Sequence, residues 1–193
     1  MTVKFNIPSP DKELIEKASK VKKAYLNNFQ TDNYQRIKAI NYMADALVDN
    51  SDKILEANFN DYQIAEKKGI SKSLLSRLRL SKQKLNAGIE GVRKVGQLKD
   101  PIGQLQINRE LSNGLILQRK TVPIGVIGVI FESRPDAVLQ ISSLAIRSGN
   151  GVILKGGSEA NYTNLALVEA LKDGLKSSEI NQESICLLTS RKD

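Results

Sequence analysis

IGVIGVIFESRPDAVLQISSLAIRSGNGVILKGGSEA, residues 124–160, is the stretch whose reading decides the fold. The run IGVIGVIF is too continuously apolar for a half-exposed strand and suits a central parallel strand buried on both faces. RPDAVLQISSLAIRSGN follows with helical character. Asp136 can cap that helix, Val138, Leu139, Ile141, Leu144 and Ile146 supply its apolar contacts, and Gly149-Asn150 ends it. GVILK is then a second buried strand, SEANYTNLALVEALKDGLKSS a second helix and ICLLT a third strand. A βαβαβ order of this kind predicts an α/β fold built on a doubly wound parallel sheet. Gly125 and Gly128 stand inside the first strand rather than in a G-x-G-x-x-G turn, and no Walker pattern is present. Both glycines are therefore expected to mark close packing of a neighbouring element.

In such sheets ligands sit beyond the carboxyl ends of strands, beside helix N-termini that attract anions. Lys155 falls at a strand's end. Gly156 and Gly157 let the backbone turn sharply and approach a ligand, and Ser158 can cap the next helix or donate to a phosphate. Spacing alone leaves two readings open: a phosphate-binding turn, or an ordinary βα turn with an exposed lysine.

Upstream of the sheet the period changes. Over residues 102–122, IGQLQINREL and GLILQRKTV flank Ser112-Asn113-Gly114, which predicts a β-hairpin across 104–121. Residues 1–101 read as helices. Ser9-Pro10-Asp11 starts the first, with Leu14, Ala18, Val21 and Tyr25 on its apolar face. A second begins near Thr31 with Ile37, Ile40, Ala44 and Leu47, and Ser51 starts a third through Ile54, Leu55 and Tyr62. Ser71 and Ser81 cap two more, the last carrying Leu85, Ile89, Val92 and Val95 up to Asp100-Pro101.

Composition narrows the chemistry. At 193 residues and 40% hydrophobic, the chain can bury one core. No apolar run approaches the ~20 residues of a membrane helix and no signal peptide is visible, so a cytoplasmic protein without membrane contact is expected. Histidine is absent and Cys186 is the single cysteine. Imidazole bases, Ser-His triads, internal disulfides and cysteine metal sites are thereby excluded within these residues, and no metal is expected. Residues 121–193 hold seven Lys/Arg against eight Asp/Glu, so the net charge of +8 belongs wholly to the first part. There it alternates with acids, as in DKELIEKASKVKK, which suits solvated helix faces better than a nucleic-acid site.

The segment VPIGVIGVIFESRPDAVLQISSLAIRSGNGVILKGGSEANYTN, with the hairpin and more loosely the closing LLTSRKD, resembles the γ-glutamyl phosphate reductases of the aldehyde dehydrogenase superfamily. The wording is nearest the reductase portion of the bifunctional plant-type enzymes. The resemblance implies an aldehyde-dehydrogenase-like, Rossmann-like sheet at 123–193, preceded by the hairpin and the helical region, and NADPH-dependent reduction of L-glutamyl 5-phosphate to the 5-semialdehyde in proline biosynthesis. It implies that Lys155 lies along the adenosine ribose and that Gly157, Ser158 and Glu159 complete the cofactor turn. A lysine with a serine nearby suits the 2′-phosphate of NADPH, with Glu159 turned into the first turn of its helix.

The same resemblance puts FESRPD at the strand end that faces the active site, where the Arg134 guanidinium can hold a substrate carboxylate or phosphate. Taken from the residues alone, Arg134 reads rather as a surface arginine before a proline. The family's nucleophilic cysteine lies in a later motif, and Cys186, set among apolar neighbours, is expected to be structural. The chain is therefore expected to be the N-terminal part of the enzyme, all of it cofactor-binding domain, with the catalytic domain missing and no activity alone. The whole enzyme is expected to be a homo-oligomer, to act on a small molecule and to work beside a glutamate kinase. The alternative is a free-standing nucleotide-binding or interaction module without catalysis.

Overall fold

The computed structural model describes residues 12–189. The expected helix start at Ser9-Pro10-Asp11 lies outside them. Five helices come first: α1 (Lys12–Asn27), α2 (Asn33–Asp49), α3 (Ser51–Lys67), α4 (Lys72–Leu78) and α5 (Lys82–Gln97). The hydroxyls of Ser71 and Ser81 accept from the N–H groups of Leu74 and Lys84, as N-caps do. α2 begins two residues later than Thr31. Asp32 and Gln35 form a reciprocal capping box there, a D-x-x-Q signal readable in the sequence.

A hairpin follows, β1 (Leu105–Ser112) paired antiparallel with β2 (Leu115–Lys120). Asn113 and Gly114 both have positive φ, 38° and 85°, the requirement of a two-residue type I′ turn. The rest of the chain alternates strand and helix: β3 (Val126–Ile130), α6 (Pro135–Arg147), β4 (Gly151–Lys155), α7 (Asn161–Lys176) and β5 (Ile185–Leu188). β3 pairs parallel with β4, and β4 with β5. The strands thus step in one direction, which puts both crossover helices on one face, where α6 and α7 touch. α1 covers the other face. A Cβ on Gly151 would meet Val21 at 2.7 Å, while the next residue, Val152, points into the core with Leu139, Leu167 and Leu171. The architecture is the α/β sheet expected from the sequence, with helices on both faces.

Several local expectations fail, and Leu144, expected among the apolar contacts of α6, is 49% exposed. β3 is an edge strand among the described residues, and Ile130 is 86% exposed, so the run expected to be buried on both faces has a partner on one side only. Gly125 and Gly128 are not sites of close packing, because a Cβ at either would meet nothing within 4 Å. Gly125 is instead required by its backbone, at φ 127°. Asp136 does not cap α6. The helix starts at Pro135 with Arg134 in the N-cap position, and Asp136 pairs with Arg134 at 3.2 Å.

The core joins α2, α5, α6, α7 and the inner face of the sheet through Ile40, Met43, Leu47, Leu85, Leu139, Leu167 and Ile185. α2 and α7 approach closely at Gly174, where a Cβ would stand 2.5 Å from the Tyr42 carbonyl oxygen and 2.6 Å from the Met43 Cα. At the end of the sheet where β3 begins, Arg36 and Arg147 are both buried beside Asp100. Arg36 holds its carboxylate with two bonds of 2.9 and 2.8 Å, and Arg147 reaches Asn33 and the Leu98 carbonyl. Among the described residues no helix is long and apolar enough to cross a membrane, and no group of three or more His, Cys, Asp or Glu could hold a metal ion.

Candidate functional site

Two turns meet at the carboxyl ends of β3 and β4. They are joined first by backbone, the Phe131 N–H donating to the Lys155 carbonyl at 3.0 Å. A side chain makes the second link. The Glu159 Oε1 accepts from the Ser133 N–H at 3.1 Å and, at still closer range, from the Ser133 hydroxyl. The carboxylate expected to turn into its own helix thus crosses to the neighbouring turn, because residues 158–160 form a 3-10 turn rather than the start of α7.

The two glycines of the opening stretch acquire a concrete reason. A Cβ on Gly157 would overlap the Glu159 carboxylate, and one on Gly156 would overlap the Asn164 amide. Neither glycine has positive φ. Their bareness admits the chain's own side chains. Lys155 stands at the end of β4, half-buried, with its ammonium donating to the Gly156 carbonyl at 3.2 Å. Ser158 is exposed and does not cap α7.

The cap of α7 comes from α3 instead. Asp61, 3% exposed, accepts from the N–H groups of Tyr162 and Thr163 at 3.3 and 2.7 Å and from the Thr163 hydroxyl at 2.6 Å. Asn58, one turn earlier, donates to the same hydroxyl oxygen and to the Leu78 carbonyl and accepts from the Leu80 N–H. Burial pushes the Asp61 carboxyl pKa up, the hydrogen bonds from Thr163 and Tyr162 oppose the shift, and the charge of Glu159 adds to it. A raised folded value means the native state binds this proton more readily than the unfolded chain. Asp61 therefore makes stability fall as pH rises from about 3.9 through its folded pKa, and adds no slope above that. We expect Asp61→Asn to remove that slope and still to lower stability by about 2 kcal/mol at pH 7, since an amide N–H₂ would face the Thr163 donors. Urea midpoints of both proteins across pH 3.5–8 read the two effects, and an unchanged neutral-pH midpoint would refute the capping role.

Arg134 lies on the other side of the same sheet end, 63% exposed in its side chain. It opens onto a cleft of about 780 Å³ between the α4–α5 link and the start of α6. Arg77, Arg79 and Lys84 line that cleft with it, against the single carboxylate of Asp136. Lys84 donates to the Ser76 and Arg79 carbonyls. The floor is bare helix. Gly88 is bare because Leu139 packs 2.7 Å from where its Cβ would stand, but Gly91 has nothing within 4 Å. A mid-helix glycine costs roughly 1 kcal/mol against alanine, and here packing gives no reason for it. The cleft is a basic recess suited to an anion with more than one charged group.

The turns thus bring Lys155, Gly157, Ser158 and Glu159 together and join them through Ser133 to the turn of Arg134, which alone of the five lines the cleft. Sequence reasoning passed over Ser133, Asp61 and the Arg77, Arg79 and Lys84 set. Ser133 stood in the FESRPD turn itself, and the glycine pair inside a helical pattern was a further signal. Cys186 is buried in β5, and burial pushes its thiol pKa up, the environment of an inert cysteine.

No protein-family profile matches the chain. Among curated relatives, a γ-glutamyl phosphate reductase of Prochlorococcus marinus subsp. pastoris is 69% identical over 193 residues, which are all of this chain and 44% of that protein. Another, from Prochlorococcus marinus strain MIT 9301, is 69% identical over 189 residues and is covered to 43%. The crystal structure of γ-glutamyl phosphate reductase from Thermotoga maritima superposes with a TM-score of 0.90 at 36% identity, over 94% of this chain and 44% of that one. The Saccharomyces cerevisiae structure of the same name gives 0.86 at 35% identity, over 92% and 46%. A benzaldehyde dehydrogenase from Corynebacterium glutamicum, at 16% identity and a TM-score of 0.68 over 91% of this chain and 34% of that one, shares the fold. The chain spans less than half the length of the curated relatives it matches.

Proposed function

We propose, on the premise that the chain belongs to the γ-glutamyl phosphate reductase family as its N-terminal part, that the whole protein reduces L-glutamyl 5-phosphate to glutamate 5-semialdehyde, releasing phosphate. The observation that carries the reading to this chain's own residues is the basic cleft at Arg134. Its four cations against one carboxylate suit a substrate that bears both a carboxylate and an acyl phosphate. Arg134 would hold one of those groups, and Arg77, Arg79 and Lys84 would draw the anion in and disfavour neutral aldehydes.

The cofactor reading is NADPH, which would supply the hydride. The fit of the β4 turn to it is selective. The N-terminus of α7 already holds the Asp61 carboxylate, so a pyrophosphate gains little there. Lys155 at the end of β4 and the exposed Ser158 hydroxyl suit a ribose phosphate laid along the turn, with Gly157 at its floor. Glu159 borders that space with its carboxylate turned toward Ser133. The nucleophilic cysteine belongs to sequence beyond these residues, and by itself this part would bind without turning over. An enzyme phosphorylating the side-chain carboxylate of glutamate must supply the substrate, and a soluble oligomeric assembly in the cytoplasm is the proposed setting.

Two variants of the full-length protein test this. Arg134→Ala is expected to raise the KM for glutamyl phosphate about tenfold, leaving NADPH affinity unchanged. Lys155→Ala should do the reverse, weakening NADPH about tenfold and NADH much less. Kinetics with direct cofactor titration separate them. Unchanged substrate KM in the first, or equal losses for both cofactors in the second, would remove the assignment concerned.

A further inference from the structure

We propose that Glu159 is a positioning residue that couples the two turns, so that a ligand settling on the β4 turn orders the turn carrying Arg134. The inference rests on the cofactor reading above for its ligand, and on the geometry of the Ser133–Glu159 contact for its mechanism. One carboxylate oxygen takes both donors of a single residue, and Ser133 is 2% exposed, so the donor end of the contact is shielded from water. Hydrogen bonds to a carboxylate in such a place are among the stronger ones in a protein.

The β3–α6 turn has little else to hold its outer part. α6 has no side-chain cap, and the Arg134–Asp136 pair is solvent-exposed, a type of pair that contributes little. Arg134 directly follows Ser133, so its backbone inherits whatever order Ser133 has. On the other side, Glu159 lies between Ser158 and Ala160 in one 3-10 turn. A ligand that immobilises Ser158 immobilises Glu159 with it, and the ordering passes through the carboxylate to Ser133 and Arg134. Binding at one site then lowers the entropic cost of binding at the other, which is positive coupling without a large change of shape. Gly157 is part of the device, because only a residue without a Cβ leaves room for the folded-back carboxylate.

Hydrogen–deuterium exchange of the full-length protein, with and without NADP, tests the proposal independently of turnover. In the parent, NADP should slow exchange at residues 156–160 and also, about fivefold or more, at 131–134. Glu159→Ala should keep the first protection and lose the second. Glu159→Gln retains an oxygen for the Ser133 donors and should restore most of it. Retention of the 131–134 protection in Glu159→Ala would overturn the coupling, and so would a Glu159→Gln variant as defective as Glu159→Ala. Absence of any NADP effect at 156–160 in the parent would remove the cofactor reading, and the coupling with it.

Discussion

Gly174→Ala is expected to destabilise the protein by about 3 kcal/mol, the upper end of ordinary overpacking. The added methyl would lie 2.5 Å from the Tyr42 carbonyl oxygen and 2.6–2.7 Å from the Met43 Cα and nitrogen. All three are backbone atoms of α2, so no side chain can swing aside to make room. Relief requires α2 and α7 to separate, which opens the layer containing Met43, Leu47, Leu167 and Leu171. Intrinsic helix propensity works the other way, favouring alanine by up to about 1 kcal/mol. The steric cost is several times larger and decides the sign. Chemical denaturation of the full-length protein measures it. A variant as stable as the parent would show that the helix pair slides apart cheaply and that the close approach at Gly174 is incidental.

Asp100→Ala should cost a similar amount, about 3–5 kcal/mol, by leaving two buried guanidiniums without a carboxylate. Arg36 and Arg147 are 4% and 2% exposed. Burial pulls the Arg147 pKa down and the like charge of Arg36 pulls it further, while Asp100 holds it up. Asp100 also accepts from the Ile102 N–H at 3.0 Å, so its loss loosens the chain leading into the hairpin. Asp100→Asn keeps one acceptor but no charge, and its loss should fall between those of the parent and the alanine variant. The midpoints of thermal unfolding order the three proteins. An alanine variant within 0.5 kcal/mol of the parent, the range of an ordinary surface change, would mean that the Thr31 and Leu98 carbonyls suffice to hold both arginines.

The elements were legible because their signals are local. Leu85, Ile89 and Val92 recur at helical spacing and are buried, Ser71 and Ser81 cap the helices they precede, and Asn113-Gly114 makes the turn its dipeptide requires. The order of strands and helices after Pro123 was sufficient for a parallel α/β sheet, and it pointed to the strand ends where Lys155 and Arg134 stand. The GlyGly pair was expected to let the backbone approach a ligand, and in the structure the groups packed there are the protein's own Glu159 and Asn164.

What the sequence by itself determined, then, is the element plan and the placing of Lys155 and Arg134 at strand ends, both written in periodicity, caps and glycines that act over a few residues. The tertiary structure alone decided the partners. It assigned Asp61 to cap α7 across about a hundred residues and turned Glu159 away from its own helix to Ser133. It also gathered Arg77, Arg79 and Lys84 around Arg134, and left β3 with one neighbour. Each of these depends on how distant elements register against one another, a choice set by the sum of buried contacts in the whole core rather than by any short pattern along the chain.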